Sequence, residues 1–240
     1  MAGAIVQSRE ASTGAVGSTT IALAFSSANT SGNNIWVVGH VGNPALTMTY
    51  SDSAGNTYSS NLSYATDGAN NNRIGHAQCQ NCAAATPTVT VTFSASEAYR
   101  AIFICEISGV QNAAQDGNSA NNQFNVGTGT DAIVSGNATN TATATMLSLT
   151  CDDSAQFTPV TGTGFTSIST FWNFGLGGIY ARAEYKTGVA VATQGSTFTA
   201  GGSLTDANTV MVMLKESGAA AAPLTIDIIR SFAVRRSASY

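Results

Sequence analysis

Alternation of apolar and polar residues at period two constrains this chain most, because it places successive side chains on opposite faces of an extended strand. Thr88-Val89-Thr90-Val91-Thr92-Phe93 shows the pattern without interruption. Comparable runs are Ile21–Phe25, Ile35–Val38, Leu46–Tyr50, Thr143–Leu149 and Val210–Leu214. Ala101–Ile107 is almost continuously apolar and suits a central strand. Ile179–Lys186 carries Arg182, Glu184 and Lys186 on one face, as expected of a strand with one side in water. Gly, Asn, Ser and Thr interrupt the chain every ~8–12 residues and no long window has helical spacing with caps, so the expected class is all-β, with two packed antiparallel sheets.

Local turn chemistry sharpens this. Asp52-Ser53-Ala54-Gly55-Asn56-Thr57-Tyr58 reads as a tight hairpin with Gly55 at a positive φ. The weakly patterned stretch 111–140, rich in Asn, Gly, Ala and Thr, is expected to form edge strands and loops. The pattern stops at Glu216-Ser217-Gly218, where Ala219–Ala222 and Pro223 form a spacer. Leu224-Thr225-Ile226-Asp227-Ile228-Ile229-Arg230 then resumes a short alternating strand, and Arg235 and Arg236 follow. This gives a β-sandwich over 1–217 and a C-terminal arm over 218–240. The arm's Leu224, Ile226, Ile228, Ile229, Arg230, Arg235 and Arg236 are candidate partner contacts, by strand addition to the edge of its own sheet or of a neighbour's.

Charge narrows the function. Charged residues make up 9% of the chain, against a usual share of about 25%. With a net charge of -4 there is no basic footprint for nucleic acid. The arm holds three of the nine basic residues and one of the thirteen acidic ones. No apolar run reaches the ~18 residues of a membrane span. The start lacks a basic region followed by an apolar run of about 7–15 residues, so no export signal is expected.

Candidate chemistry is sparse. His76-x-x-Cys79-x-x-Cys82 is the one metal-like spacing, and a structural zinc site would need a fourth ligand from His40, Cys105 or Cys151. A Cys79–Cys82 disulfide or two inert thiols is the alternative, and no metal or cofactor is expected. Cys105 and Cys151, inside apolar runs, are expected buried and reduced. No Gly-x-Ser-x-Gly elbow accompanies the two histidines. The acidic residues are scattered apart from Asp152-Asp153, read as a turn, so no catalytic residues and no enzyme activity are expected. Asp52 and Asn56 could ligate calcium or bond their own backbone. Phe171, Trp172 and Phe174 lie among glycines and form a candidate loop for glycan or protein contact, the alternative being a core Trp.

Leu46–Tyr50, the Asp52–Tyr58 turn, Thr86–Phe93, Tyr99–Ile102 and Glu106–Val110 together resemble a widespread group of bacterial and phage β-sandwich proteins of jelly-roll, concanavalin-A-like type. The resemblance implies a jelly-roll-like sandwich and no particular reaction. Members without an export signal and with an arginine-bearing arm look like tailed-phage virion proteins: capsid cement or decoration proteins, head fibres or minor tail proteins. For this chain that implies a virion-surface protein assembled in the host cytoplasm, whose partners are copies of itself, a trimer among the options, and other capsid or virion proteins. Members with signal peptides look like extracellular carbohydrate-binding or adhesion modules, which is the alternative; a glycoside hydrolase ranks below both.

Overall fold

The computed structural model describes residues 1–14, 16–60, 62–67, 72–113, 115–124, 132–152, 158–168, 172–173, 180–200 and 206–218. Every regular element among them is a strand, and every pairing is antiparallel. The eight apolar or alternating runs singled out between Ile21 and Leu214 all contribute to strands, whereas the ninth, Leu224–Arg230, lies outside the described residues. The first half of the chain winds through β1 (Ala4–Thr13), β2 (Ser18–Ala24), β3 (Asn34–Val41), β4 (Met48–Asp52), β5 (Ser63–Asp67), β6 (Asn72–Cys79), β7 (Thr88–Glu97) and β8 (Arg100–Ser108). These make a five-stranded sheet, β1-β8-β3-β6-β5, and a three-stranded sheet, β2-β7-β4.

The second half winds in the same way. It contains β9 (Gly117–Phe124), β10 (Ala132–Val134), β11 (Ala138–Thr139), β12 (Ala144–Asp152), β13 (Thr166–Ser167), β14 (Trp172–Asn173), β15 (Tyr180–Val189), β16 (Thr193–Gln194), β17 (Thr197–Thr199) and β18 (Asp206–Lys215). Its large sheet runs β9-β18-β12-β15-β13, with β14 also on β15. In both halves the first strand therefore pairs with the last, and the last with the strand that follows the opening hairpin layer. Opposite this sheet, β10 pairs with β17 and β11 with β16. The two short ladders continue one another, slipped by one residue between Val134↔Thr197 and Ala138↔Gln194. Val160 bridges to Thr199 and so takes the place that β4 has beside β7.

Packing explains the sequence pattern. Ile35, Val37, Ile102 and Ile104 project from one face of the first large sheet onto Leu23, Val89, Val91 and Phe93 of β2 and β7. Trp36, Phe103, Cys105 and Ile107 project from the other face onto Leu147, Leu149, Ala183, Val210 and Val212 of the second large sheet. Trp36 and Phe103 meet edge to face, with ring centroids 5.8 Å apart. The second large sheet carries Met146, Met211 and Met213 on its outer face, against Ala138 and Phe165. The expected pair of sheets is thus a stack of sheets, because β3, β8 and β12 are buried on both faces.

Three local readings change. Gly55 does adopt φ +75°, but the Asp52–Tyr58 turn is no hairpin: β4 pairs with β7, whereas β5 pairs with β6 in the other sheet. Glu184 is not on a solvent face but fully buried, since the second half's outer layer covers that side of β15. Asp152 is the buried last residue of β12 rather than part of a turn. The described residues of the weakly patterned stretch form β9, at the edge of its sheet, and the short strands β10 and β11.

Gly109 joins the halves with φ +73°, and a Cβ there would run into the carbonyl of Ala2. Gly55 has a similar φ with open space around it. Gly55→Ala should therefore cost about 1 kcal/mol, the left-handed penalty alone, whereas Gly109→Ala should cost about 3 kcal/mol or more because backbone must also move. Urea denaturation of the two variants checks the contrast.

Candidate functional site

At one pole of the molecule five passages of chain are tied together. The amino group of Met1 donates to the carbonyl of Ser217. The Ser217 amide donates to Gly109 O at 2.8 Å and the Glu216 amide to Thr143 O at 2.9 Å. Val110 and Glu216 form a bridge, and Gln111 Nε2 donates to Glu216 O at 3.0 Å. The Glu216 carboxylate accepts from Gly188 N–H at 2.7 Å and from Thr145 Oγ1 at 3.0 Å. Nothing in the sequence around Gly109 or Glu216 marks these roles, since each depends on residues 28 or more positions away.

Leu224, Ile226, Ile228, Ile229, Arg230, Arg235 and Arg236 lie outside the described residues, as do Phe171 and Phe174. Trp172 is placed by its backbone alone, in β14, where it pairs with Ala181 at the outer margin of the second large sheet.

His76 is fully buried, with Trp36 Nε1 donating to its Nδ1 at 3.1 Å and Ser63 Oγ 2.7 Å from its Nε2. An indole N–H can only donate, so Nδ1 is the acceptor and the neutral ring's proton sits on Nε2, which donates to Ser63. A base that activates serine needs the opposite arrangement, a free lone pair facing the hydroxyl. Burial holds the ring neutral by lowering its pKa to about 3. With both nitrogens engaged, His76 is not free to join Cys79 and Cys82 as a metal ligand. The four cysteines are free thiols and buried. Burial pushes Cys79 up to about 12, far from the thiolate range that reactivity requires.

Asp52 is saturated by its own loop. Its Oδ1 accepts from the amides of Ala54 (2.9 Å) and Asn56 (3.1 Å), and its Oδ2 from Asn56 Nδ2 (2.7 Å) and Tyr58 OH (3.0 Å). Asn56 Oδ1 in turn accepts from Ala83 N–H at 2.8 Å. Of the two readings of this turn, bonding to its own backbone is the one realised.

The second half's interior mixes hydroxyl groups with the hydrocarbon of Met146, Met211 and Met213. Ser196 Oγ donates to Ser148 Oγ at 2.5 Å, Thr209 Oγ1 to Thr150 Oγ1 at 2.9 Å, and Ser135 Oγ accepts from Ser196 N–H at 3.0 Å. Glu184 lies on this face, its Oε2 accepting from Gly162 N–H at 2.8 Å, and its Oε1 has no partner among the described residues. Burial raises its pKa to about 8, against the smaller opposing effects of Gly162 and Arg182. Asp152 shares the face but pairs with Tyr180, four residues along β15 from Glu184. That is about 13 Å at strand rise, beyond the roughly 5–9.5 Å of a glycosidase carboxylate pair.

Comparison with known proteins finds no matching family model, no matching curated protein and no matching solved structure.

Glu184 gives a pH signature. Below pH 4.5 the carboxyl is protonated whether the chain is folded or not. Between 4.5 and about 8 the unfolded chain loses the proton while the folded one keeps it, so stability falls as pH rises, and the decline ends above about 8. Glu184→Gln removes this decline. Its stability relative to the parent should rise from pH 5 to pH 8 by on the order of a few kcal/mol, as measured by urea denaturation at each pH.

Proposed function

We propose that this protein is a structural component of a tailed-phage virion surface, a capsid cement or decoration protein or a related head or tail component, that works through protein–protein contacts. The observation that carries the reading is the pole: Ser217 is fixed to Gly109 and Met1, so the arm that follows starts from a defined point on a rigid body. The strand orders support a jelly roll, since β1-β8-β3-β6 facing β2-β7-β4 is the order produced by rolling up a long hairpin. The second half repeats that order. The nearly neutral surface suits close packing against copies of the chain and against other virion proteins, because few charges must be desolvated.

In this reading Leu224, Ile226, Ile228 and Ile229 supply an added strand on a neighbour, and Arg230, Arg235 and Arg236 flank it with charge. The sandwich is the body on which the arm is mounted. The carbohydrate-binding alternative, through Phe171, Trp172 and Phe174, has Trp172 at the sheet margin in its favour.

Deletion of 218–240 should convert the oligomer to monomer in light scattering and abolish binding to phage particles that lack this protein. A truncated chain that still assembles and binds would overturn the reading. Loss of glycan-array binding in Trp172→Ala, with assembly intact, would favour the alternative.

A further inference from the structure

A groove of about 310 Å³ opens at the end of β6, between Thr57, Tyr58 and Ser59 on one side and Gln78 and Gln80 on the other. Pairing builds it: Tyr58 bridges to Cys79, Ser59 N–H donates to Gln78 O at 2.8 Å, and Gln78 N–H donates to Ser59 Oγ at 3.0 Å. Gln78 is 1% exposed. Its Nε2 donates to Ala113 O at 3.5 Å, which orients the amide, and its Oε1 has no partner among the described residues. A buried carbonyl oxygen left unbonded costs free energy, which a donor in the groove recovers when the enclosed Gln78 amide turns toward it.

We infer that this groove is a binding site for a neutral hydroxylated ligand, a saccharide unit of a glycan. No lining residue is charged, so an anion or a cation would enter without a counter-charge. An apolar ligand would leave Gln78 Oε1 unsatisfied. Sugar hydroxyls both donate and accept, as do the hydroxyls of Thr57 and Ser59 and the amides of Gln78 and Gln80. Tyr58 lines the groove with its ring already fixed, because its hydroxyl is committed to Asp52 at 3.0 Å. Pre-set side chains lower the ordering cost of binding, and the volume is at the small end of ligand pockets, which run from roughly 300 Å³ upward. The site is remote in sequence from the arm and from the Trp172 loop, so it stands or falls independently of the assembly reading.

The test is an array of neutral hexose and N-acetylhexosamine oligosaccharides with their sialylated counterparts, probed with the full chain. The expected result is binding to neutral glycans that falls at least tenfold in Gln78→Leu. The exterior double variant Thr57→Ala/Gln80→Ala should lose a similar factor while keeping the parent's thermal midpoint, so the test does not depend on Gln78→Leu folding. A blank array with the full chain overturns the inference. So does binding that survives Thr57→Ala/Gln80→Ala, or that is lost in Trp172→Ala alone.

Discussion

Everything else in this molecule rests on the contact between its two large sheets. Trp36, Phe103, Cys105 and Ile107 on one side and Leu147, Leu149, Val210 and Val212 on the other form one continuous apolar layer. Neither half could shed this contact without exposing a whole apolar sheet face, a patch of a size that soluble monomers rarely leave open. The layer also makes the outer packing possible, because it turns β3, β8, β12 and β18 into strands with no solvent face. The continuous apolar character of Ala101–Ile107 is the direct chemical imprint of that position.

Polar groups inside this frame are met by neutral donors rather than by cations. Glu106, fully buried, accepts from the amide of Thr30 (2.8 Å), Asn33 Nδ2 (2.6 Å) and Gln7 Nε2 (2.8 Å), and thereby pins the connection from β2 to β3. Asp116 is held by the amides of Thr141 and Ala142 at 2.8 and 2.9 Å, with Lys215 Nζ at 3.5 Å as the one salt bridge among the described residues. A chain with so few basic residues satisfies its buried carboxylates through amide N–H groups. The stability of such contacts depends little on ionic strength, since short enclosed bonds lie inside the screening length.

The sequence was most legible where packing alone decides structure. The alternating and continuous apolar runs became strands because only an extended segment can bury them against a sheet. His76 lies in a strand-like run, which is β6, but its partners Trp36 and Ser63 could not be named because they come from other strands and meet it only in the folded state. β9 has almost no apolar residues and is held at an edge by backbone pairing to β18. Turn chemistry identified the conformation at Gly55 correctly but could not say which strand β4 would join, since a turn fixes dihedrals and not partners. Alternation likewise gave the sidedness of Arg182, Glu184 and Lys186 without telling whether water or another layer lay beyond. Of the candidate site, the ties of Ser217 to Gly109 and of the Glu216 carboxylate to Gly188 and Thr145 left no mark in the local sequence, because each joins residues far apart along the chain.

The repeated winding is achieved with unlike interiors: Ile35 and Val37 occupy in β3 the place that Met146 and Ser148 occupy in β12. Order of strands is thus conserved across the halves while their fillings differ. The two halves are also joined covalently once, through the stretch after Gly109, whereas their contact spans both large sheets. A chain nicked at that stretch would consist of two complementary fragments, each with an open apolar face that only the other covers, and the pair would behave as a reconstituted whole rather than as two independent proteins.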